Sequence, residues 1–134
     1  MATRIRTHLL LHTLHGLETP HSSWSVSAWQ PRVDVYEMAD AIVILVEAPG
    51  LETDNLKLHF EPGELIVEGF RTRPQLPDAA RAALVEIHYG VFKRQFVLPA
   101  NADGEGIAAT YDAGILQITV PRRPAPAPIV IPIL

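Results

Sequence analysis

The sequence predicts an all-β fold, an immunoglobulin-like antiparallel β-sandwich of seven or eight strands. Three observations predict it: short runs between Pro31 and Pro121 alternate apolar and polar residues, turn residues separate these runs, and no convincing helical period occurs among them. We therefore divide the chain into a flexible N-terminal arm (residues 1–29), a domain (residues 30–121) and a C-terminal extension, called the tail (residues 122–134).

The strands of the domain are predicted from its apolar runs. AIVILVEA, which ends before Pro49, is apolar on both faces, as expected of a central strand that is covered on both sides. NLKLHFE, LVEIHYG and ILQITVP alternate instead, so each of them predicts a half-buried strand with one face on the core.

Turn residues separate the predicted strands. Glu61-Pro62-Gly63-Glu64 suits a type II turn, because proline presets the second position and glycine accepts a positive φ at the third. Asp112-Ala113-Gly114 predicts a second hairpin loop, between IAATY and ILQITV. The segment RTRPQLPDAARAA is the one long interruption of the alternating pattern, and it precedes the LVEIHYG run.

The two ends of the chain have other patterns. Leucines at helical spacing would share one side of the arm if it is helical, and Pro20 would end that helix. The tail closes with PAPAPIVIPIL, in which a Pro-Ala spacer that favours polyproline II precedes a strip of apolar residues. A strip so short cannot bury itself, so we expect another surface to receive it.

Composition excludes several classes of protein. The formal net charge of −4 disfavours electrostatic binding of nucleic acid, and the lack of cysteine excludes disulfides, thiolate catalysis and cysteine-based zinc sites. No apolar run reaches the roughly 18 residues of a membrane helix. The leucine run after Arg4 and Arg6 is too short for a signal peptide, so we expect a cytoplasmic protein with no membrane partner.

Patterns of enzyme chemistry are missing from the sequence. It has neither the phosphate-binding motif G-x-x-x-x-G-K-[ST] nor the nucleophile motif G-x-S-x-G, and its serines all lie in the arm. Glu86 and His88 would share one strand face, which we interpret as a polar face rather than an acid-base pair. His8, His12 and His15 could align on a helix to bind zinc or sense pH, but a flexible polar face is the simpler interpretation. We expect no enzyme activity, no cofactor and no metal.

Four segments, in order along the chain, resemble the α-crystallin domain family of small heat-shock proteins (Hsp20), in its bacterial and plant type. PRVDVYEMADAIVILVEAPGLETDNLKL is similar to the opening of that domain, and YGVFKRQFVLP to its G-x-F-x-R-x-F-x-L-P segment. ATYDAGILQITVP is similar to its A-x-x-x-n-G-v-L segment, and Ile129-Val130-Ile131 fits its C-terminal I-x-I motif. In two places the chain departs from the family pattern: Glu86-Ile87-His88 replaces a frequent Glu-Arg before x-Tyr-Gly, and Ala113 replaces a frequent asparagine.

The resemblance implies an ATP-independent chaperone, a holdase, that binds unfolding client proteins and limits their aggregation. It also implies strand-exchanged dimers that assemble into higher homo-oligomers. In these dimers the strand near Leu84–Tyr89 crosses to a partner, by way of the RTRPQLPDAARAA loop, and pairs near Arg32–Tyr36. The dimer-interface residues implied are Val33, Val35, Glu86, His88, Tyr89 and Arg94.

The tail has an implied binding site as well. In the family, the I-x-I residues dock between two strands of a neighbouring subunit, by β-augmentation. The groove residues implied here are Leu56, Leu58, Phe60, Ile107, Ala109 and Tyr111. The docking residues are Ile129, Ile131 and Ile133, and two registers stay open, Ile129 with Ile131 or Ile131 with Ile133.

Two candidate sites for client binding stay open: the arm, and the groove once the tail has left it. The candidate client contacts of the arm are Leu9, Leu10, Leu14, Leu17, Trp24 and Trp29. The alternative function is a non-catalytic chaperone adaptor with a related β-sandwich, which would need neither the I-x-I tail nor the long loop. An enzyme with an unrecognised site comes third.

Overall fold

The computed structural model describes residues 3–5 and 29–134. Within these ranges the chain forms strands and two short 3-10 turns, Thr53–Asn55 and Gly104–Gly106. No helix in the described ranges is long and apolar enough to cross a membrane. The arm helix, the three arm histidines and the arm leucines considered above lie outside the described residues.

In the part of the chain that the structure describes, eight strands build two antiparallel sheets. Their bounds are β1 (Thr3–Ile5), β2 (Val33–Glu37), β3 (Ala41–Glu47), β4 (Leu56–Glu61), β5 (Glu64–Arg71), β6 (Gly90–Val97), β7 (Ala108–Asp112) and β8 (Ile115–Pro121). The five-stranded sheet has the order β1-β7-β8-β3-β2, and the three-stranded sheet has the order β4-β5-β6. The predicted antiparallel sandwich is confirmed.

The core lies between the two sheets and follows from the period-two pattern. In the five-stranded sheet, Ile44 stands opposite Ile118 and Val46 opposite Leu116, and all four side chains are buried. In the three-stranded sheet, alternate residues face the same core. Its buried members are Leu56, Leu65, Val67, Phe92 and Phe96.

Strand β3 differs from its prediction. Its even-numbered residues, Ile42, Ile44 and Val46, are buried, but Val43 and Leu45 are only half-buried. The expectation that both faces are covered is therefore wrong in the single chain. The physical reason is that a two-layer sandwich buries only the inner face of each sheet, so the central strand keeps an outer face.

The two predicted turns form as expected. Gly63, between β4 and β5, has the positive φ of 87° that the predicted turn requires at its third position. Between β7 and β8, Ala113 has a φ of 49° and Gly114 a φ of 79°. Two successive residues with positive φ are typical of the type I′ turn of a two-residue hairpin.

The LVEIHYG run does not form its predicted strand in the single chain. Residues 72–89 contain no strand, and Leu84 is 79% exposed, with Val85 and Ile87 exposed as well. An alternating segment forms a strand only when a neighbouring strand pairs with it, and no other part of the described chain pairs with this one. Its apolar face is therefore left in solvent.

Candidate functional site

The two sheets are aligned so that β6 lies near β2 at one side of the sandwich and β4 near β7 at the other. On the first side, Arg94 Nη1 of β6 donates to the carbonyl oxygen of Pro31, just before β2, at 3.1 Å. On the second side, the Phe60 ring of β4 packs directly on Gly104 and leaves no room for a Cβ atom there. The second side contains the predicted tail-docking groove.

The six predicted groove residues come together but divide into two sets. The fully covered set lies in the core of the single chain and consists of Leu56, Ile107 and Ala109. The half-buried set packs against that core and keeps exposed surface, and it consists of Leu58, Phe60 and Tyr111. The groove therefore has an apolar floor and a half-open apolar wall, as a docking site for alternate apolar side chains requires.

Tyr111 is fixed in the groove by its hydroxyl group. The hydroxyl donates to the carbonyl oxygen of Ala48 at 2.8 Å and accepts from the backbone N–H of Leu51 at 3.2 Å. These two bonds satisfy the polar end of a half-buried ring and join β7 to the segment that follows β3. The phenol ring is thereby held in one position.

The outer edge of β7 carries a strand that the sequence did not predict. Strand β1 pairs with it in antiparallel register, with Thr3 opposite Tyr111, Arg4 opposite Thr110 and Ile5 opposite Ala109. A strand of three residues contains too little alternation to be recognised from sequence. The edge that the tail was expected to use is therefore paired with another segment of the same chain.

The tail extends from an anchored base and makes no strand. The N–H of Arg122 donates to the carbonyl oxygen of Asp40 at 2.8 Å, and the N–H of Arg123 donates to that of Asn101 at 2.7 Å. Beyond Arg123 the chain is irregular, and Ile129, Ile131 and Ile133 are 87%, 80% and 99% exposed. The structure thus does not bring the tail isoleucines to the groove of their own chain.

The predicted dimer-interface residues divide between β2 and the segment of residues 84–89. Strand β2 pairs only with β3 among the described strands, so its outer edge has unpaired backbone groups. On β2, Val33 is half-buried and Val35 is 49% exposed. In the other segment, Glu86 and His88 are exposed and Tyr89 is half-buried. In the single chain these two sets of residues are not paired.

Arg94 lies apart from the exposed members of this set. It is half-buried on the inward-facing side of β6, where Phe92 and Phe96 flank it along the strand. Its guanidinium contacts the Pro31 carbonyl, as described above, and lies 6.0 Å from the centroid of the Phe96 ring. In the single chain Arg94 therefore connects β6 to the segment that leads into β2.

Trp29 was predicted as a client contact, and this prediction is wrong. The side chain is only 8% exposed and belongs to the core. Its indole N–H donates to the carbonyl oxygen of Gly90 at 3.0 Å, and its ring meets Phe92 edge-on with the centroids 5.0 Å apart. A large aromatic ring next to the sandwich is better buried than exposed, so it closes the core beside β6.

The side chain of Arg71 contacts several segments of the fold, which the sequence analysis did not predict. Its Nε donates to the carbonyl oxygen of His88 at 2.7 Å, and its Nη1 donates to that of Pro49 at 3.1 Å. The guanidinium carbon also lies 3.9 Å from the centroid of the Trp29 ring. Arg71 thus holds together the start and the end of the segment between β5 and β6. Only the tertiary fold reveals this role.

No metal centre is found among the described residues. No group of three or more histidine and acidic side chains there is arranged to hold a metal ion. Glu86 and His88, which would have shared a strand face, lie in an irregular exposed segment. The predicted site residues that the fold brings together are apolar or make hydrogen bonds to the backbone.

These features place the chain among small immunoglobulin-like β-sandwich domains. The model of the Hsp20/alpha crystallin family matches residues 34–134. The chain therefore belongs to the Hsp20/alpha crystallin family, and the resemblance stated from its motifs is confirmed.

Individual relatives agree with the family match. The chain is 38% identical over 96 residues to a 17.8 kDa class II heat shock protein of Zea mays, a match that covers 71% of this chain and 58% of that protein. It is 31% identical over 132 residues to a 17.3 kDa class II heat shock protein of Solanum peruvianum, covering 89% of this chain and 85% of that protein. The chain thus spans little more than half the length of the maize relative.

A solved structure has the same fold. The small heat-shock protein from Xylella fastidiosa, whose structure is described as a distinct high order structure, is 32% identical to this chain. The superposition covers 80% of this chain and 98% of that one, with a TM-score of 0.69. The sandwich described above is therefore the fold of small heat-shock proteins.

Proposed function

We propose that this protein is an ATP-independent holdase, which binds unfolding proteins and limits their aggregation, and that it works as a homo-oligomer. Membership of the Hsp20/alpha crystallin family supports the proposal. The observation that carries it is the exposure of the tail isoleucines, which are 80% to 99% exposed in the single chain. Apolar residues left in solvent in this way mark surfaces that associate with another protein.

Dimer formation by strand exchange is the first step of the proposed assembly. Residues 84–89 have the apolar-polar alternation of a strand but no partner strand in the described chain, and β2 has a free edge. Pairing the segment of one copy with β2 of another satisfies both sets of backbone groups. It also covers the exposed side chains of Val35 and Ile87. Arg94, beside the entry to β2, contacts this interface.

Docking of the tail joins such dimers into larger assemblies. The base of the tail is anchored at Arg122 and Arg123, and a polyproline II spacer extends about 3.1 Å per residue. Ile129 therefore reaches roughly 19 Å from Arg123, far enough to leave its own sandwich. The I-x-I residues of one copy fill the half-open wall of another copy's groove, formed by Leu58, Phe60 and Tyr111.

Client binding is assigned to the arm, to the groove while the tail is absent from it, or to both. The groove supports its part of this proposal because its half-buried wall, formed by Leu58, Phe60 and Tyr111, is an apolar surface beside a strand edge. An extended apolar segment of an unfolding protein has the same chemistry as the tail. The arm contributes its leucines and Trp24, which lie outside the described residues.

The proposal is tested on the full-length chain in two assays. Light scattering gives the mass of the assemblies, and a second measurement follows the heat-induced aggregation of a reporter protein without ATP. The variant Ile129→Ser/Ile131→Ser/Ile133→Ser removes the docking side chains, and Val130→Ser is the matched control, since Val130 is equally exposed but lies between them.

We expect the wild-type chain and Val130→Ser to form large assemblies that suppress aggregation, and the triple variant to form dimers. Large assemblies of the triple variant would show that the tail is not the connector. A wild-type chain that is monomeric and leaves the reporter unprotected would overturn the proposed function and favour the adaptor.

A further inference from the structure

Strand β1 occupies the strand edge that the tail needs. Its three residues pair with Ala109, Thr110 and Tyr111 of β7. Ala109 and Tyr111 belong to the groove that the proposed function assigns to the tail. One edge of a strand has a single set of free N–H and C=O groups, so it pairs with one strand at a time.

We propose that the outer edge of β7 is a shared binding site for an extended segment, which β1 of the same chain holds until the tail of another copy displaces it. The proposal rests on the tail docking described under the proposed function. It adds a second occupant of the same site and makes docking a competition.

The register shows why both segments fit. In β1, Thr3 and Ile5 stand two residues apart, opposite Tyr111 and Ala109. In the tail, Ile129 and Ile131 have the same spacing, and so have Ile131 and Ile133. Residues directly opposite each other in an antiparallel pair lie on the same face of the sheet. A tail that pairs in the same sense would therefore place its isoleucines at the two register positions that β1 now holds.

The two segments differ in what stabilises them. The tail has an apolar residue at both of these positions, so its docking buries apolar surface. Strand β1 belongs to the same chain as the groove, which gives it a high effective concentration without any further contact. It is also only three residues long and pairs on one side only, so it opens easily. Neither segment excludes the other permanently.

Competition sets the apparent affinity of the groove for the tail. A ligand that binds only the free edge has its affinity reduced in proportion to the fraction of chains in which that edge is free. If β1 holds the edge in about nine chains out of ten, removing β1 strengthens tail binding about tenfold. The pairing of β1 therefore limits assembly until the local concentration of tails is high enough.

The test uses the full-length chain with Ile129→Ser/Ile131→Ser/Ile133→Ser, so that its own tail does not compete. A fluorescent peptide with the sequence of residues 124–134, PAPAPIVIPIL, is titrated against this chain. The test variant adds Thr3→Pro/Arg4→Pro, which removes the N–H groups of two successive residues and therefore one that faces β7. The control adds Thr3→Val/Arg4→Lys instead, which keeps every backbone N–H and the positive charge.

We expect the proline variant to bind the peptide about tenfold more tightly than the other two chains, which bind it alike. If all three chains bound the peptide with equal affinity, the proposed competition between β1 and the tail would be overturned, but the proposed docking of the tail would not. Weaker binding by the proline variant would also overturn it, because β1 would then help to form the site. Failure of all three to bind the peptide would overturn the docking itself and the shared site with it.

Discussion

Arg71 and Trp29 are stacked, with the guanidinium carbon 3.9 Å from the centroid of the indole ring. The same guanidinium donates to the carbonyl oxygen of His88, and the indole N–H donates to that of Gly90. Three segments therefore meet at this pair: the end of the arm, the end of β5 and the entry to β6. In the proposed strand exchange, this pair fixes the point from which residues 84–89 extend towards a partner.

Replacing Arg71 tests the importance of this pair. We expect Arg71→Ala to lower the free energy of unfolding by about 1–2 kcal/mol, since it loses a cation–π contact and charge-assisted hydrogen bonds. Arg71→Lys keeps the charge but not the planar guanidinium, so it should lower the free energy of unfolding by an intermediate amount. Urea unfolding measures the change. The matched control is Arg73→Ala, which loses only the contact of its guanidinium carbon with the Tyr89 ring, 5.0 Å from the ring centroid. If Arg73→Ala lowered the free energy of unfolding as much as Arg71→Ala does, the stabilising role of Arg71 would be contradicted.

The hydroxyl of Tyr111 gives a second prediction. Tyr111→Phe keeps the ring in the groove but removes the bonds to Ala48 and Leu51, so we expect a loss of about 1 kcal/mol in the free energy of unfolding. Thermal unfolding followed by circular dichroism measures it. The control is Tyr36→Phe, whose side chain is exposed on β2. Equal melting temperatures for the two variants would mean that the Tyr111 hydroxyl does not stabilise the fold.

A substitution in the turn between β7 and β8 should make the fold more stable. Ala113 has a φ of 49°, a left-handed conformation that costs an ordinary L-residue about 1–2 kcal/mol and that asparagine adopts more readily. We expect Ala113→Asn to raise the free energy of unfolding by roughly 0.5–1 kcal/mol. Ala113→Val should lower it, because a β-branched residue is strained there. Denaturant midpoints of the three chains give the order, and a valine variant as stable as the asparagine variant would contradict it.

The proposed strand exchange predicts a specific cross-link, which the lack of cysteine in the chain makes simple to test. In Val35→Cys/Ile87→Cys, one thiol lies on β2 and the other on the segment that pairs with β2 of a partner. Since a disulfide needs Cα atoms within about 7 Å, mild oxidation should give covalent dimers on a non-reducing gel. The control, Val35→Cys/Leu76→Cys, moves the second thiol to another exposed residue before that segment. Cross-linking of both variants to the same extent would indicate random collision.

Local alternation predicted the strands whose partners lie in the same chain. NLKLHFE became β4, ILQITVP became β8, and the turn at Pro62-Gly63 joins β4 to β5. These features depend on neighbouring residues, which the sequence displays directly. The strands that contain the predicted groove residues were also placed correctly, and docking of the tail between them stays a prediction.

The features that the sequence analysis predicted wrongly or missed have a different cause. They depend on contacts between residues that are far apart in the chain. LVEIHYG has the pattern of a strand, but whether it forms one is decided by a partner strand. Trp29 lies at the boundary between arm and domain, and only its contact with Phe92 makes it a core residue. Arg71 has no local signal, because its partners lie 17 and 22 residues away.

The buried core described above contains no residue from 72–89 or from 124–134. The segments assigned to assembly are therefore not needed to close the sandwich. Folding of one chain is then a first-order process, whose rate does not depend on protein concentration, and assembly is a separate step of higher order. Dilution of the oligomer should release subunits that are still folded and ready to reassociate, so subunits can exchange between assemblies without passing through the unfolded state.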